Sequence, residues 1–196
     1  ENGLRCAYHG WTYNTAGGVV EMPFEPACLP LKVKAYPVQV EEFFNLVLFN
    51  YFIQNGDAHL KNFSLTRSEE FGDYLLTPAY DLMNTRIHVG AETDMALPLF
   101  KAGFSTESFN INGKYCQDDL TEFGRRIGMK EARITQAIER YDQRVVEDIR
   151  EMVNRSFLSS STKEAYVTLV QERLKRFVYS YEADIGDRND VKDRQS

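Results

Sequence analysis

A chain of 196 residues with 43% hydrophobic content is long enough for one substantial core, and its formal charge of −6 offers no general attraction to nucleic acid. Three scattered cysteines, Cys6, Cys28 and Cys116, make no disulfide framework and point to a reducing cytoplasm. The longest apolar run, around Phe43 to Ile53, is too short to span a bilayer.

Taken in order, the first 41 residues differ in kind from the rest. Cys6-Ala7-Tyr8-His9-Gly10-Trp11-Thr12-Tyr13 is followed by Gly17-Gly18 and by Val19 to Pro23. Short β-rich pieces broken by Gly and Pro fit this composition, and Lys32 to Val40 reads as another strand. No signal-peptide pattern opens the chain, which begins with Glu1 rather than Met. Between Val38 and Phe43 a strand ending runs straight into a helix without a Gly/Ser or Pro-rich linker. Two complete domains are seldom joined this way, so the junction reads as a splice of two fragments.

From Glu42 to Gln54 nearly every position is apolar or aromatic, which predicts a helix buried on most sides. It leads into Asn55-Gly56-Asp57-Ala58-His59-Leu60-Lys61-Asn62, on which the functional reading turns. Two short runs, Phe63 to Thr66 and Tyr74 to Leu76, predict a β-hairpin, and Tyr80-Asp81-Leu82 lies beyond it. An acid, the amide of a D-x-x-x-x-N spacing and a second acid past a hairpin are the parts of a phosphoryl-transfer site. One carboxylate orients a hydroxyl and accepts its proton, while an amide oxygen and another carboxylate hold Mg²⁺ on the phosphates. The Asp57-to-Asn62 spacing equals that of the protein-kinase catalytic loop. Asn-Gly-Asp is equally a good turn sequence, and a polar turn after a buried helix is the plainer reading.

The remainder is predicted to be helical, with a short strand at Met95 to Phe100 and a turn at Asn112-Gly113 between Ser108 and Tyr115. Asp118 can cap a helix carrying Leu120, Phe123 and Ile127, with Gly128 suited to its end. Lys130 to Asn154 reads as one amphipathic helix, with Ile134, Ile138, Tyr141, Val145, Ile149 and Met152 on its inner stripe. Ser161-x-x-Glu164 is a capping-box pattern opening a last helix with Tyr166, Leu169, Val170, Leu174 and Phe177. Glu182 to Ser196 is polar and aperiodic, the composition of a disordered tail.

Two family resemblances attach to these residues. Phe44-Asn45-Leu46 through Phe63-Ser64, then Thr77 to Thr85, with Arg155-Ser156-Phe157-Leu158 before the last helix, resembles the C-terminal lobe of HipA-like serine/threonine kinases. The likeness runs from about Glu42 to Phe177. It implies an α+β fold, a mostly helical kinase-like C-lobe over residues 42–180, with a disordered tail over 181–196. Under it Asp57 is the catalytic base or hydroxyl-orienting acid, Asn62 and Asp81 are the Mg²⁺ ligands, and Lys61 stabilises transferring phosphate charge. His59 braces the loop by hydrogen bonding, whereas His88 has no assigned role. Mg²⁺ and ATP are the implied cofactors. The implied partners are a protein serine substrate, with aminoacyl-tRNA synthetases as the class such relatives act on, and a helix-turn-helix antitoxin of a toxin–antitoxin pair. Neither membrane attachment nor direct nucleic-acid binding is expected, and the implied location is cytoplasmic.

Residues 1–41 resemble the second half of a Rieske [2Fe–2S] domain of the aromatic-ring oxygenase type, through C-x-Y-H-G-W and Val33-Lys34-Ala35-Tyr36-Pro37-Val38. Such a centre needs two cysteines and two histidines. Cys6 and His9 supply one of each, and only Glu1 to Arg5 precede them. An intact cluster is therefore not expected. The same stretch supplies neither the phosphate-covering loop nor the strand lysine of a kinase N-lobe, so the 196 residues by themselves are expected to be catalytically incomplete. Two alternatives stand beside the kinase C-lobe: a Rieske-type electron-transfer fragment and a non-catalytic helical binding module.

Overall fold

In a computed structural model, the structure describes residues 36–67, 74–90 and 94–184, together with three short strands near the N-terminus. The chain divides into two compact units, Glu1–Tyr36 and Pro37–Ser196. In the first, β1 (Leu4–Arg5), β2 (Thr12–Tyr13) and β3 (Val19–Glu21) form an antiparallel sheet in the order β1-β2-β3. Cys6, His9 and Cys28 lie outside the described residues, as does the tail from residue 185 onward.

α1 (Tyr36–Phe52) opens at the boundary residue Tyr36 and belongs otherwise to the second unit; it starts well before the helix expected from Glu42. Residues 36–40, read as the end of a strand, are its first turn. Pro37 sits where a helix leaves its backbone N–H groups unpaired, so proline's missing donor costs nothing there. Burial follows one face rather than most of the surface: Phe44, Val47, Leu48, Tyr51 and Phe52 are buried, while Glu42 and Phe49 are exposed. That is the i, i+3, i+4, i+7, i+8 stripe of a helix packed from one side. At its rim Phe43 meets Phe63 edge-on at 5.3 Å, and Gln39 Oε1 accepts from the Leu76 amide, which docks the hairpin of β4 (Leu65–Arg67) and β5 (Tyr74–Leu76) against α1.

Among the described residues five longer helices complete the unit: α2 (Glu107–Asn112), α3 (Gln117–Arg126), α4 (Glu131–Glu139), α5 (Gln143–Asn154) and α6 (Ser160–Val178). Residues 181–184, expected to open a disordered tail, are instead helical, with the Tyr181 amide donating to Asp118. The expected strand at Met95 to Phe100 is a series of bends. The turn at Asn112-Gly113 is the end of α2, with Gly113 left-handed at φ 64°. Residues 130–154 form two helices instead of one. Asp142 accepts from the amides of Arg144 and Val145 and so starts α5 afresh, a cap that apolar periodicity cannot register. Met152 consequently points outward at 72% exposure instead of joining the core. The cap of α3 also moves: Asp119 accepts from the Cys116 amide at 2.8 Å, while Asp118 accepts from Ser180 and Tyr181. Ser159, rather than Ser161, caps α6.

The core gathers around α1 and α6. Phe52 packs against Tyr141 at 4.8 Å and edge-on against Phe177 at 5.3 Å, with Tyr141 and Phe177 4.5 Å apart. Leu120, Ile134, Val146 and Val170 are fully buried around them. A polar seam crosses this core. Arg173 is 2% exposed, lies 4.0 Å over the Tyr51 ring and reaches Asp94 at 3.4 Å; Arg176 pairs with the same carboxylate at 2.5 Å. Burial pulls the Arg173 pKa down and pushes the Tyr51 pKa up. Among the described residues no helix is long and apolar enough to cross a membrane.

Candidate active site

The site grows out of the C-terminal end of α1. Gln54 adopts a left-handed conformation at φ 59°, its amide bonds the Tyr51 carbonyl at 3.3 Å, and the Asn55 amide reaches back to the Asn50 carbonyl at 2.9 Å. This paired closure satisfies carbonyls that a helix end leaves open and turns the chain sharply out of the core. Gln54 Nε2 donates to the Leu169 carbonyl at 2.6 Å, which anchors the turn to α6.

Asn55 then organises the loop. It is 3% exposed, and its Nδ2 donates both to Asn50 Oδ1 at 2.8 Å and to the Asp81 carbonyl at 3.0 Å. Its Oδ1 accepts the Asp57 amide at 3.2 Å, an Asx turn built on the Asn-Gly-Asp sequence. The turn presents Asp57 at the surface, and a single 3-10 turn, Leu60–Asn62, follows it. Tyr80 fastens that turn, donating its hydroxyl to the Lys61 carbonyl at 2.7 Å beside Ser64 Oγ at 2.6 Å.

Asn62 joins the two acidic segments. Its Nδ2 lies 2.9 Å from Asp81 Oδ2 and 3.3 Å from the Asp57 carbonyl. A carboxylate can only accept here, so the amide donates through its nitrogen to Asp81 and keeps its oxygen as a lone-pair donor. Asp81 itself is left-handed at φ 56°, an uncommon state for a residue other than glycine, held by Asn55 on its carbonyl and Asn62 on its carboxylate. An amide oxygen and a carboxylate are hard donors, and Mg²⁺ commonly takes only one or two protein carboxylates, with substrate phosphates and water completing its shell. The donor set fits that ion.

Of the residues singled out from sequence, Asn62 touches both acidic segments, at the Asp57 backbone carbonyl and at the Asp81 carboxylate. Lys61 carries an exposed side chain on the same turn. His59 lies between Asp57 and that turn; its Nδ1 is buried and has no hydrogen-bond partner among the described residues. His88 is exposed, outside these contacts. Sequence reasoning missed Asn50, Asn55 and Thr85. Their signal was present as polar residues in or beside apolar runs, but such residues announce burial only once a partner is known.

Residues 28–149 match the family model of the HipA-like C-terminal domain, more than half of the chain, and the protein belongs to that family. A candidate kinase of Haemophilus influenzae is 28% identical over 143 residues, covering 69% of this chain and 41% of that protein. Among solved structures, the Shewanella oneidensis complex of the toxin–antitoxin proteins HipA and HipB with operator DNA matches with a TM-score of 0.54 at 24% identity. That match covers 69% of this chain and 31% of the solved one. The chain therefore spans well under half the length of either relative. An alignment of 45 positions that covers 19% of the chain is 42% identical to the oxygenase subunit of a 5,5′-dehydrodivanillate O-demethylase from a Sphingobium species and covers 11% of that protein.

Proposed function

We propose that residues 42–180 form the catalytic-loop half of an ATP-dependent serine/threonine protein kinase of the HipA kind. The single observation that carries the reading is the Asn62 side chain spanning the Asp57 and Asp81 segments. Asp57 orients the attacking serine hydroxyl and accepts its proton. Asn62, through its amide oxygen, and Asp81, through its carboxylate, hold Mg²⁺, which when bound neutralises charge on the nucleotide phosphates. Lys61, exposed on the same turn, lends positive charge to the transferring group. His59 holds the loop through its backbone, its amide donating to the Asp57 carbonyl at 2.7 Å and its carbonyl accepting the Asn62 amide at 2.9 Å.

The partners follow from family likeness: a protein serine as substrate and, since the solved relative is a HipA–HipB complex, a HipB-like antitoxin. The kinase reading takes precedence over the Rieske one because the oxygenase likeness covers 19% of the chain and the family match 28–149 contains all of Asp57, Asn62 and Asp81.

Transfer of labelled phosphate from ATP tests the reading. Positioning supplies most of the catalysis of this reaction, so the 196 residues alone should transfer no measurable phosphate. Replacing residues 1–41 by a HipA-like N-lobe should produce transfer, and Asp57→Asn in that fusion should abolish it. Labelling that persists in the Asp57→Asn fusion would refute the assignment of Asp57.

A further inference from the structure

We infer that Thr85 is the positioning residue that sets the register between the acidic segment bearing Asp81 and the loop bearing Asp57; the inference rests on the phosphoryl-transfer reading and gives a role to a residue outside the acid-and-amide pattern of Asp57, Asn62 and Asp81. Thr85 is 8% exposed and lies beyond Asp81 on the same segment. Its Oγ1 accepts the Gly56 amide at 2.8 Å and donates to the Gln54 carbonyl at 3.3 Å. One hydroxyl thus grips the loop from both sides of Asn55.

The geometry explains why a hydroxyl is needed. Gly56 offers a donor and Gln54 an acceptor, and a hydroxyl is the smallest side-chain group that can both accept and donate. Asn55 adds a second tie between the same segments through the Asp81 carbonyl. Together the two ties hold the segment at Asp81, whose backbone is left-handed, and again four residues beyond it. Asn84, next to Thr85, closes the turn that follows by accepting the Ile87 amide at 3.2 Å. The segment from Asp81 to Ile87 is thereby pinned at its start, its middle and its end. Thr85 does not touch the reacting atoms. It acts through Gly56 on the loop that presents Asp57, and through its own backbone on Asp81.

Removing the hydroxyl while keeping the shape separates this role from packing. In ¹⁵N-labelled full chain, Thr85→Val should raise hydrogen exchange at the Gly56 amide by about tenfold or more, and Thr85→Ser should leave it within about threefold of the parent. Mn²⁺ added alone should broaden the Asn62 and Asp81 amide signals in the parent. The Mn²⁺ concentration at half-broadening should rise about tenfold in Thr85→Val, the scale on which supporting residues act on a metal site, and stay near the parent in Thr85→Ser. Thr85→Ala serves as a second hydroxyl-free variant should the valine chain fail to fold.

Unchanged Gly56 protection in the hydroxyl-free variant overturns the inference. So does faster Gly56 exchange with an unchanged Mn²⁺ response, because Thr85 would then hold the loop without setting the site. Asp81→Asn is the separate control. If it broadens as the parent does, the metal role proposed for Asp81 fails, while Gly56 exchange still decides whether Thr85 joins the segments.

Discussion

Gly124→Ala tests the packing that brings the C-terminal helices together. Gly124 is buried on α3, and a Cβ built there would lie 2.8 Å from Ile134 Cγ1, 2.9 Å from Cδ1 and 3.2 Å from Cγ2. Ordinary carbon contacts fall at about 3.5–4.0 Å, so three atoms of one side chain are overlapped at once. Ile134 is fully buried on α4 and cannot swing into solvent. Overpacking of this kind costs about 1–3 kcal/mol. Alanine recovers about 1 kcal/mol as a better helix former than glycine. The net expectation is a loss of up to about 2 kcal/mol, read as a lower urea midpoint at unchanged m-value, and as a melting temperature lower by up to about 8 °C. Ile134→Ala alone should cost about 2–5 kcal/mol. Combined with Gly124→Ala it should cost less than the sum, with a favourable coupling of about 0.5–3 kcal/mol. A Gly124→Ala chain that is more stable than the parent by about 1 kcal/mol, the helix-propensity gain alone, would show that α3 and α4 do not approach this closely.

Further outcomes follow from the polar interior. Asp94→Ala strands Arg173 and Arg176 without their shared carboxylate and should lower unfolding free energy by about 3 kcal/mol, measured by denaturant titration. Cys116 is 3% exposed and burial pushes its thiol up to about 11 from 9.0, so in a Cys6→Ser/Cys28→Ser background it should react with a thiol reagent at pH 8 only after unfolding. The raised value favours the thiol form in the folded state: its contribution is full below about pH 9 and is lost as pH rises toward 11, at a slope of at most about 1.4 kcal/mol per pH unit. Cys116→Ala should flatten that part of the stability profile. Anaerobic reconstitution of the 196 residues with iron and sulfide should leave them colourless; a stable Rieske-type spectrum would reverse the expectation drawn from Cys6 and His9.

Local signals were enough wherever neighbouring residues decide the outcome. The D-x-x-x-x-N spacing from Asp57 to Asn62, the strand at Tyr74 to Leu76, the left-handed Gly128 after α3 and the apolar stripe of α6 could all be read in order along the chain. Periodicity failed where a side chain spoke to the backbone instead of to the core. Asp142 broke one expected helix into α4 and α5, and Ser159 took the cap expected of Ser161. The site itself lay further from view. Asn55 and Thr85 carry no chemistry of their own, and polar residues this ordinary disclose nothing until the chain folds a partner against them. Only the tertiary structure could bring the Asp81 carbonyl to Asn55, the Gly56 amide to Thr85 and the Asp81 carboxylate to Asn62. Hydrogen bonds between distant segments depend on distances that sequence does not carry.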